Sequence, residues 1–229
     1  MNEMIYIAED EDNIRETVKT FLESEGYQVR DYSTGDALLE EFMERPCDLV
    51  ILDVLMPGSS GFEITKRIRA MSTVPIIILT ARDSDMDYAT GINLGSDDYF
   101  TKPFSAISLV MRVKAMLRRV RMDQENVQTG IQEELSLGDV SINRRTMEVR
   151  SGERILELTP TEYSLLTFLM ENQDRAVSRT ELLDVIWGYT ADIETRACDD
   201  TVRRLRKKLT ASRLKIENIW GFGFRVMEE

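Results

Sequence analysis

Histidine is absent from the whole chain of 229 residues. That excludes His-based catalytic triads, His metal sites and a His general base, and leaves any such chemistry to carboxylates, Lys, Tyr, Ser or Thr. Cysteine is scarce: Cys47 and Cys198 lie far apart, with no CxxC or other metal spacing. That argues against a disulfide framework, and reduced thiols in a cytosol are the default. Long apolar runs are missing as well. None approaches the ~18 residues of a membrane helix, and no basic region followed by an apolar segment marks the N-terminus. The expectation is a soluble, unexported, cytoplasmic protein with no membrane partner. Positive charge is in deficit, 29 basic against 41 acidic residues and a net −12, which argues against a protein that coats nucleic acid. One segment reverses the sign: 196–215 holds eight basic and two acidic residues.

The length fits two domains. In the first half, strand and helix patterns alternate. Apolar runs occupy 4–8 (MIYIA), 48–52 (DLVIL) and 75–79 (PIIIL), with weaker strand candidates at 27–31 and 97–100. Ile14, Val18, Phe21 and Leu22 recur at helical spacing until Gly26 stops them, and further helical stretches cover 35–45, 61–71, 84–94 and 104–120. Continuous apolar strands suit burial on both faces, so these five strand–helix units predict an α/β fold with a doubly wound, parallel, five-stranded sheet. Residues 121–134 are polar and aperiodic and read as a linker. Short strands follow over 135–158. Thr159-Pro160 with Glu162 is a capping box opening a helix to about 172, and Ser178 with Glu181 repeats the signature before a helix to about 187. A third helix covers 196–210, and Gly221-Phe222-Gly223 centres a closing hairpin. The predicted domains are 1–120 and 135–229.

The chemistry concentrates at strand ends. Glu9 and Asp10 follow the first strand, Asp53 ends the third, Thr80 ends the fourth, and Lys102, before Pro103, follows the fifth. In a parallel sheet these converge on the edge where such sheets hold their sites. Three unpaired carboxylates brought together are costly, and a hard divalent cation relieves them: Mg²⁺ takes one or two carboxylates plus waters and phosphate oxygens. A carboxylate is also a nucleophile toward phosphorus, with a lysine to neutralise phosphoryl oxygens. Glu11 and Asp12, next in the acidic run, read as solvated acids at a helix start.

This ordered set resembles the receiver domain of bacterial response regulators: Glu9-Asp10, ILDVLMPG around Asp53, LTA ending at Thr80-Ala81, and DYFTKPF from Asp98 to Phe104. The resemblance covers 4–120 and implies a flavodoxin-like fold. It implies that Asp53 accepts a phosphoryl group from a sensor histidine kinase. It also implies that Glu9, Asp10, Asp53 and the Leu55 carbonyl hold Mg²⁺, that Thr80 and Lys102 bind phosphoryl oxygens, and that Tyr99 is the switch aromatic.

The second half carries a basic amphipathic helix. In RACDDTVRRLRKKL (196–209), Cys198, Val202, Leu205 and Leu209 form one apolar stripe, and the cations lie largely on other faces. A basic helix placed after another helix suits the major groove. LTPTEYSLLTFLMEN (158–172), SRTELLDVIWG (178–188), RRLRKKL (203–209) and GFGFRV (221–226) resemble the small α+β winged helix-turn-helix domain of the OmpR/PhoB family. That resemblance implies binding of double-stranded promoter DNA by Arg196, Thr201, Arg203, Arg204, Arg206, Lys207 and, on the wing at 217–227, Arg225. It implies a loop at 187–195 that meets RNA polymerase, and a homodimer formed on phosphorylation through Asp97, Asp98, Arg112 and Arg119. There are departures. Asp200-Thr201 replaces a common valine-histidine pair, and Trp220 replaces an arginine before the wing glycine, so base contacts do not transfer. Asp200 is placed either to accept from a cytosine amino group or, the favoured reading, to pair with Arg204 at i+4. Tyr88 and Ser108 stand where charged dimer partners are usual.

Two other functions compete with this reading. A phosphohydrolase of the haloacid-dehalogenase type needs a second Asp where Leu55 stands. A regulator that keeps a receiver fold and works without phosphorylation is the alternative; the intact pocket argues against it. No substrate turnover is expected.

Overall fold

The computed structural model describes residues 3–81, 95–125, 134–189 and 197–229, with the backbone alone for 81 and 119–125. Two compact units divide at Lys114/Ala115.

In the first unit, β1 (Met4–Ala8), β2 (Gln28–Tyr32), β3 (Leu49–Asp53), β4 (Ile76–Ala81) and β5 (Asp98–Lys102) pair in parallel in the order β2-β1-β3-β4-β5. Both faces of the central strands are covered. Tyr6, Ala8, Val50, Leu52, Ile76 and Ile78 share a core with Leu38, Leu39, Phe42, Ile64 and Ile68 of α2 (Gly35–Glu44) and α3 (Gly61–Arg69). The alternate residues Ile5, Ile7, Leu49, Ile51, Ile77 and Leu79 are fully buried too. This is the all-apolar strand pattern of a doubly covered parallel sheet. α1 spans Asp12–Ser24, and α4 spans Ala106–Glu125. The helix expected over 84–94 lies outside the described residues. α4 runs past the expected boundary at 120: residues 121–125 continue it, because VRMDQE offers helix formers and no Gly or Pro. The start of the expected linker is thereby corrected.

The second unit opens with an antiparallel sheet of β6 (Glu134–Leu137), β7 (Val140–Asn143), β8 (Glu148–Ser151) and β9 (Arg154–Leu156). Then come α5 (Pro160–Glu171), β10 (Val177–Ser178), α6 (Arg179–Leu182) continued by a π turn over Leu183–Trp187, and α7 (Ala197–Lys208). β11 (Leu214–Ile219) and β12 (Gly223–Glu228) form the closing hairpin, with β10 on the far side of β12. Both expected N-caps form. Thr159 and Glu162 exchange the two bonds of a capping box, and Ser178 accepts from the Glu181 N–H. Val202, Leu205 and Leu209 of the apolar stripe join a core built on Trp187, Leu165, Leu166 and Phe224.

Candidate functional site: the acidic pocket and the basic helix

Parallel pairing brings the strand ends together as expected. Asp53 is the last residue of β3 and 3% exposed; Glu9, just past β1, is 0% exposed. One ligand oxygen each from Glu9, Asp10 and Asp53 lies within 4.8 Å of the others. Lys102 ends β5, and its Nζ sits 2.8 Å from Glu9 Oε1 and 3.2 Å from Asp53 Oδ2. The Val54 N–H donates to Asp53 Oδ1 at 2.8 Å and holds the carboxylate's orientation. Burial pushes the Glu9 and Asp53 carboxyls up from their ordinary values, against the opposing pull of Lys102. Burial works against the Lys102 ammonium, but Glu9 and Asp53 raise it overall. Thr80 is half-buried near the end of β4, and Tyr99 is half-buried against the core of α2 and α3.

The donor set fits Mg²⁺. All donors are hard oxygens, and three carboxylates against one ammonium leave two negative charges. Glu9 Oε2 is buried without a hydrogen-bond partner, an orphan that a cation would satisfy. Leu55, whose carbonyl the sequence nominated, stands beside the pocket with its side chain 65% exposed.

Three supports were missed in the sequence. Glu11, read as a helix-start acid only, also approaches Lys102 at 3.5 Å. Gly61 opens α3 so close to β3 that a Cβ there would fall 2.1 Å from the Asp53 carbonyl oxygen. Only glycine permits that approach. Asp36 accepts from the Ser59 N–H at 2.9 Å and from Ser59 Oγ at 2.8 Å, pinning the loop after Asp53. A Pro-Gly-Ser-Ser loop signals a turn, but nothing in it names a partner on α2.

The expected dimer residues require correction. Asp97 is 2% exposed and accepts from Arg69 at 2.7 Å; Asp98 is 0% exposed and pairs with Arg112 at 2.7 Å. Asp98 opens β5 and Asp97 precedes it, both in the interior, where a carboxylate demands a cation, and the same chain supplies it. Arg112 is itself 5% exposed. The side chain of Arg119, and Tyr88, lie outside the described residues.

The basic helix also sorts its cations differently from the charge pattern. Arg203 and Lys207 are exposed on α7. Arg203 lies 3.5 Å from Asp200. Arg204 turns inward, to Glu162 at 3.1 Å and to Thr201 Oγ1 at 3.1 Å. Thr201 is 0% exposed and donates to the Ala197 carbonyl. Arg206 donates to the Ile216 carbonyl and to Asn218 Oδ1, both at 2.8 Å. Thr201, Arg204 and Arg206 are therefore withdrawn as DNA contacts: Thr201 is buried and bonded within its own helix, and the two arginines are held by Glu162 and β11. Arg196 lies outside the described residues. Arg225 is half-buried in β12, and Trp220 at the hairpin tip is 98% exposed. Burial pushes the Cys47 and Cys198 thiols up to about 12, so neither is a ready thiolate.

Comparison with known proteins agrees with this architecture. Residues 5–114 match the response regulator receiver domain, and 152–226 match the domain described as transcriptional regulatory protein, C terminal. The regulatory protein VanR of Enterococcus faecium is 38% identical, over 99% of this chain and 99% of its own. The transcriptional regulatory protein ResD of Bacillus subtilis is 35% identical, over 96% and 94%. Among solved structures, the OmpR/PhoB homologue DrrB of Thermotoga maritima matches 98% of this chain and 99% of its own at 30% identity, with a TM-score of 0.52. A mutant of RitR matches 99% and 100% at 25% identity, with a TM-score of 0.77.

Proposed function

The chain belongs to the OmpR/PhoB family of response regulators, and from that premise we propose that Asp53 takes a phosphoryl group from a phosphohistidine of a sensor histidine kinase and that the product pairs with a second copy on promoter DNA. The carrying observation is the convergence of Asp53, Glu9, Asp10 and Lys102 at one sheet edge. An Asp53 carboxylate oxygen attacks phosphorus; the phosphorus–nitrogen bond breaks, and the electron pair stays on the donor's imidazole nitrogen. With no histidine of its own, the chain takes this group from another protein or from a small phosphodonor. Lys102 already lies against Asp53 and would stay on the phosphoryl oxygens as charge develops. Glu9, Asp10, Asp53 and the Leu55 carbonyl would hold Mg²⁺, which supplies charge neutralisation to the transferring group when bound. Thr80 and Tyr99 would read the phosphoryl group as the switch pair.

DNA is met by the outward face of α7, Arg203 and Lys207, and by the β11–β12 hairpin with Arg225 and Trp220. For the dimer, Ile107 and Met111 offer apolar contact one turn apart on α4, at 60% and 56% exposure. RNA polymerase is the partner expected of the 187–195 loop, of which 190–195 lie outside the described residues. No described helix is long and apolar enough to cross a membrane.

The test is intact mass after acetyl phosphate and Mg²⁺. One phosphoryl adduct, absent from Asp53→Ala and absent without the metal, is expected; an unmodified wild-type chain overturns the phosphoacceptor assignment. Asp53→Ala binding DNA as tightly as treated wild type would favour the phosphorylation-independent alternative.

A further inference from the structure

α7 contains two adjacent like pairs, Arg203-Arg204 and Lys207-Lys208. Successive residues on a helix turn by about 100°. Rolling α7 by that step would exchange the Arg203/Lys207 face for the Arg204/Lys208 face and present the duplex with nearly the same charge. Charge therefore does not choose the reading face. Burial of the apolar stripe chooses only coarsely, because it is non-directional.

A directional choice is made by a residue on another helix. Glu162, the third residue of α5, is 1% exposed. Its Oε1 lies 3.1 Å from Arg204 Nε, and its Oε2 lies 2.5 Å from Lys208 Nζ. The same carboxylate accepts the Thr159 N–H at 3.0 Å, so the capping box anchors it before it meets α7. Lys208 also donates to the Glu157 carbonyl. On the opposite flank, Arg206 ties α7 to β11 through Ile216 and Asn218. Gripped on both flanks, with its stripe in the core, α7 leaves Arg203 and Lys207 pointing away from the protein.

We propose that Glu162 is a positioning residue for DNA recognition, fixing the roll of α7 so that Arg203 and Lys207 form the reading face. The inference rests on the DNA-binding function proposed above. A roll that parted Glu162 from its cations would strand a buried carboxylate, and fixing register is the best-attested use of such a group.

The experiment uses the full chain treated with acetyl phosphate and Mg²⁺. Random-sequence duplexes are selected with wild type, and affinity for the selected sequence and for a scrambled duplex is measured across a salt series. Failure of wild type to select any sequence sinks the DNA-binding reading itself. Given a selected sequence, Glu162→Gln, which keeps an acceptor and a near-identical volume, is expected to lose roughly tenfold or more on it while staying within about twofold on the scrambled duplex. Its salt slope is expected to match wild type, because the phosphate-facing cations are unchanged. Unchanged affinity for the selected sequence overturns the proposal. So does a parallel loss on both duplexes, which marks a general structural role. A steeper slope also overturns it, since Glu162 would then be withholding cations and not orienting a helix. Should Glu162→Gln fail to fold, Arg204→Met, with the same three readouts, decides the question.

Discussion

The two units handle like charge in opposite ways. In the first, Glu9, Asp10 and Asp53 are aimed at one point, with one lysine set among them. In the second, α7 spreads its cations around a cylinder and spends most of them internally: Arg204 and Lys208 on Glu162, Arg206 on β11, with Arg203 and Lys207 left outside. Convergent charge suits a compact ligand of opposite sign that must be desolvated and held. Charge along a line suits a polymer whose phosphates repeat along a line. A charge count cannot separate these cases; the separation lies in which groups the interior claims.

The sharpest way to break this comparison is to delete one member from each set. In the pocket the response is expected to be all-or-none. Asp53→Ala removes the adduct, and Asp10→Asn, which takes away one of the three converging acids, is expected to slow acetyl phosphate labelling by at least about 100-fold, read by intact mass against time. On α7 the response is expected to be graded. Arg203→Ala and Lys207→Ala should each lower the log–log salt slope of DNA binding by about 0.9, with a larger loss of affinity on the selected sequence than on a scrambled duplex. Arg206→Met should leave that slope alone, because its guanidinium is committed to Ile216 and Asn218. Equal slopes for Arg203→Ala and wild type would remove the outward face from the interface.

A second contrast is internal to the first unit. The Asp98–Arg112 pair is as buried as the pocket but sets one carboxylate against one guanidinium, at 0% and 5% side-chain exposure. Arg112→Ala strands Asp98 and should cost about 3–5 kcal/mol in urea unfolding followed by circular dichroism. The double change Asp98→Asn with Arg112→Met removes both charges and should recover most of that. If the single variant is as stable as wild type, Asp98 and Arg112 are free to act at an interface between copies.

The Asp98–Arg112 pair marks the limit of what is legible in the sequence. The five strands, the pocket and both caps were read from local signals: apolar runs, strand-end positions and a Thr-x-x-Glu spacing. The cis or trans choice of partner was not readable in this way. Asp97 finds Arg69 across 28 positions, Arg204 finds Glu162 across 42, and Lys208 finds the same carboxylate across 46. Glu162 is the instructive case. Its spacing from Thr159 announced a helix cap, and the cap is there, yet the same carboxylate also anchors α7. Helical periodicity placed Arg204 off the apolar stripe, which is correct, but a residue at the stripe's margin faces either solvent or a neighbouring helix. Only the packing of α5 against α7 decides.

The smallest expected effect concerns acid, and it also opposes the two units. Burial raises Glu9 and Asp53, so their charged forms are disfavoured in the folded receiver and a falling pH relieves it. Asp139 behaves in the other sense. It sits in the turn between β6 and β7 and accepts from Ser151 Oγ at 2.7 Å, Ser212 Oγ at 2.6 Å and the Arg213 N–H at 2.8 Å. Burial opposes the charge there, but these three bonds outweigh it and bring the carboxyl down to about 2. A carboxyl lowered by folding contributes stability that is complete above its unfolded value near 3.8 and is lost as the pH falls toward 2. After solvent screening of a partly exposed group, the loss is about 1 kcal/mol. Trp187 and Trp220, the only tryptophans, both lie in the second unit, so tryptophan emission follows that unit's unfolding alone. Melts read by emission should fall by a few degrees between pH 4 and 2.5 in wild type. In Asp139→Asn they should start lower at pH 7 and change less over the same interval. An Asp139→Asn melt that shifts with pH as steeply as wild type would move the acid sensitivity to another group of this unit.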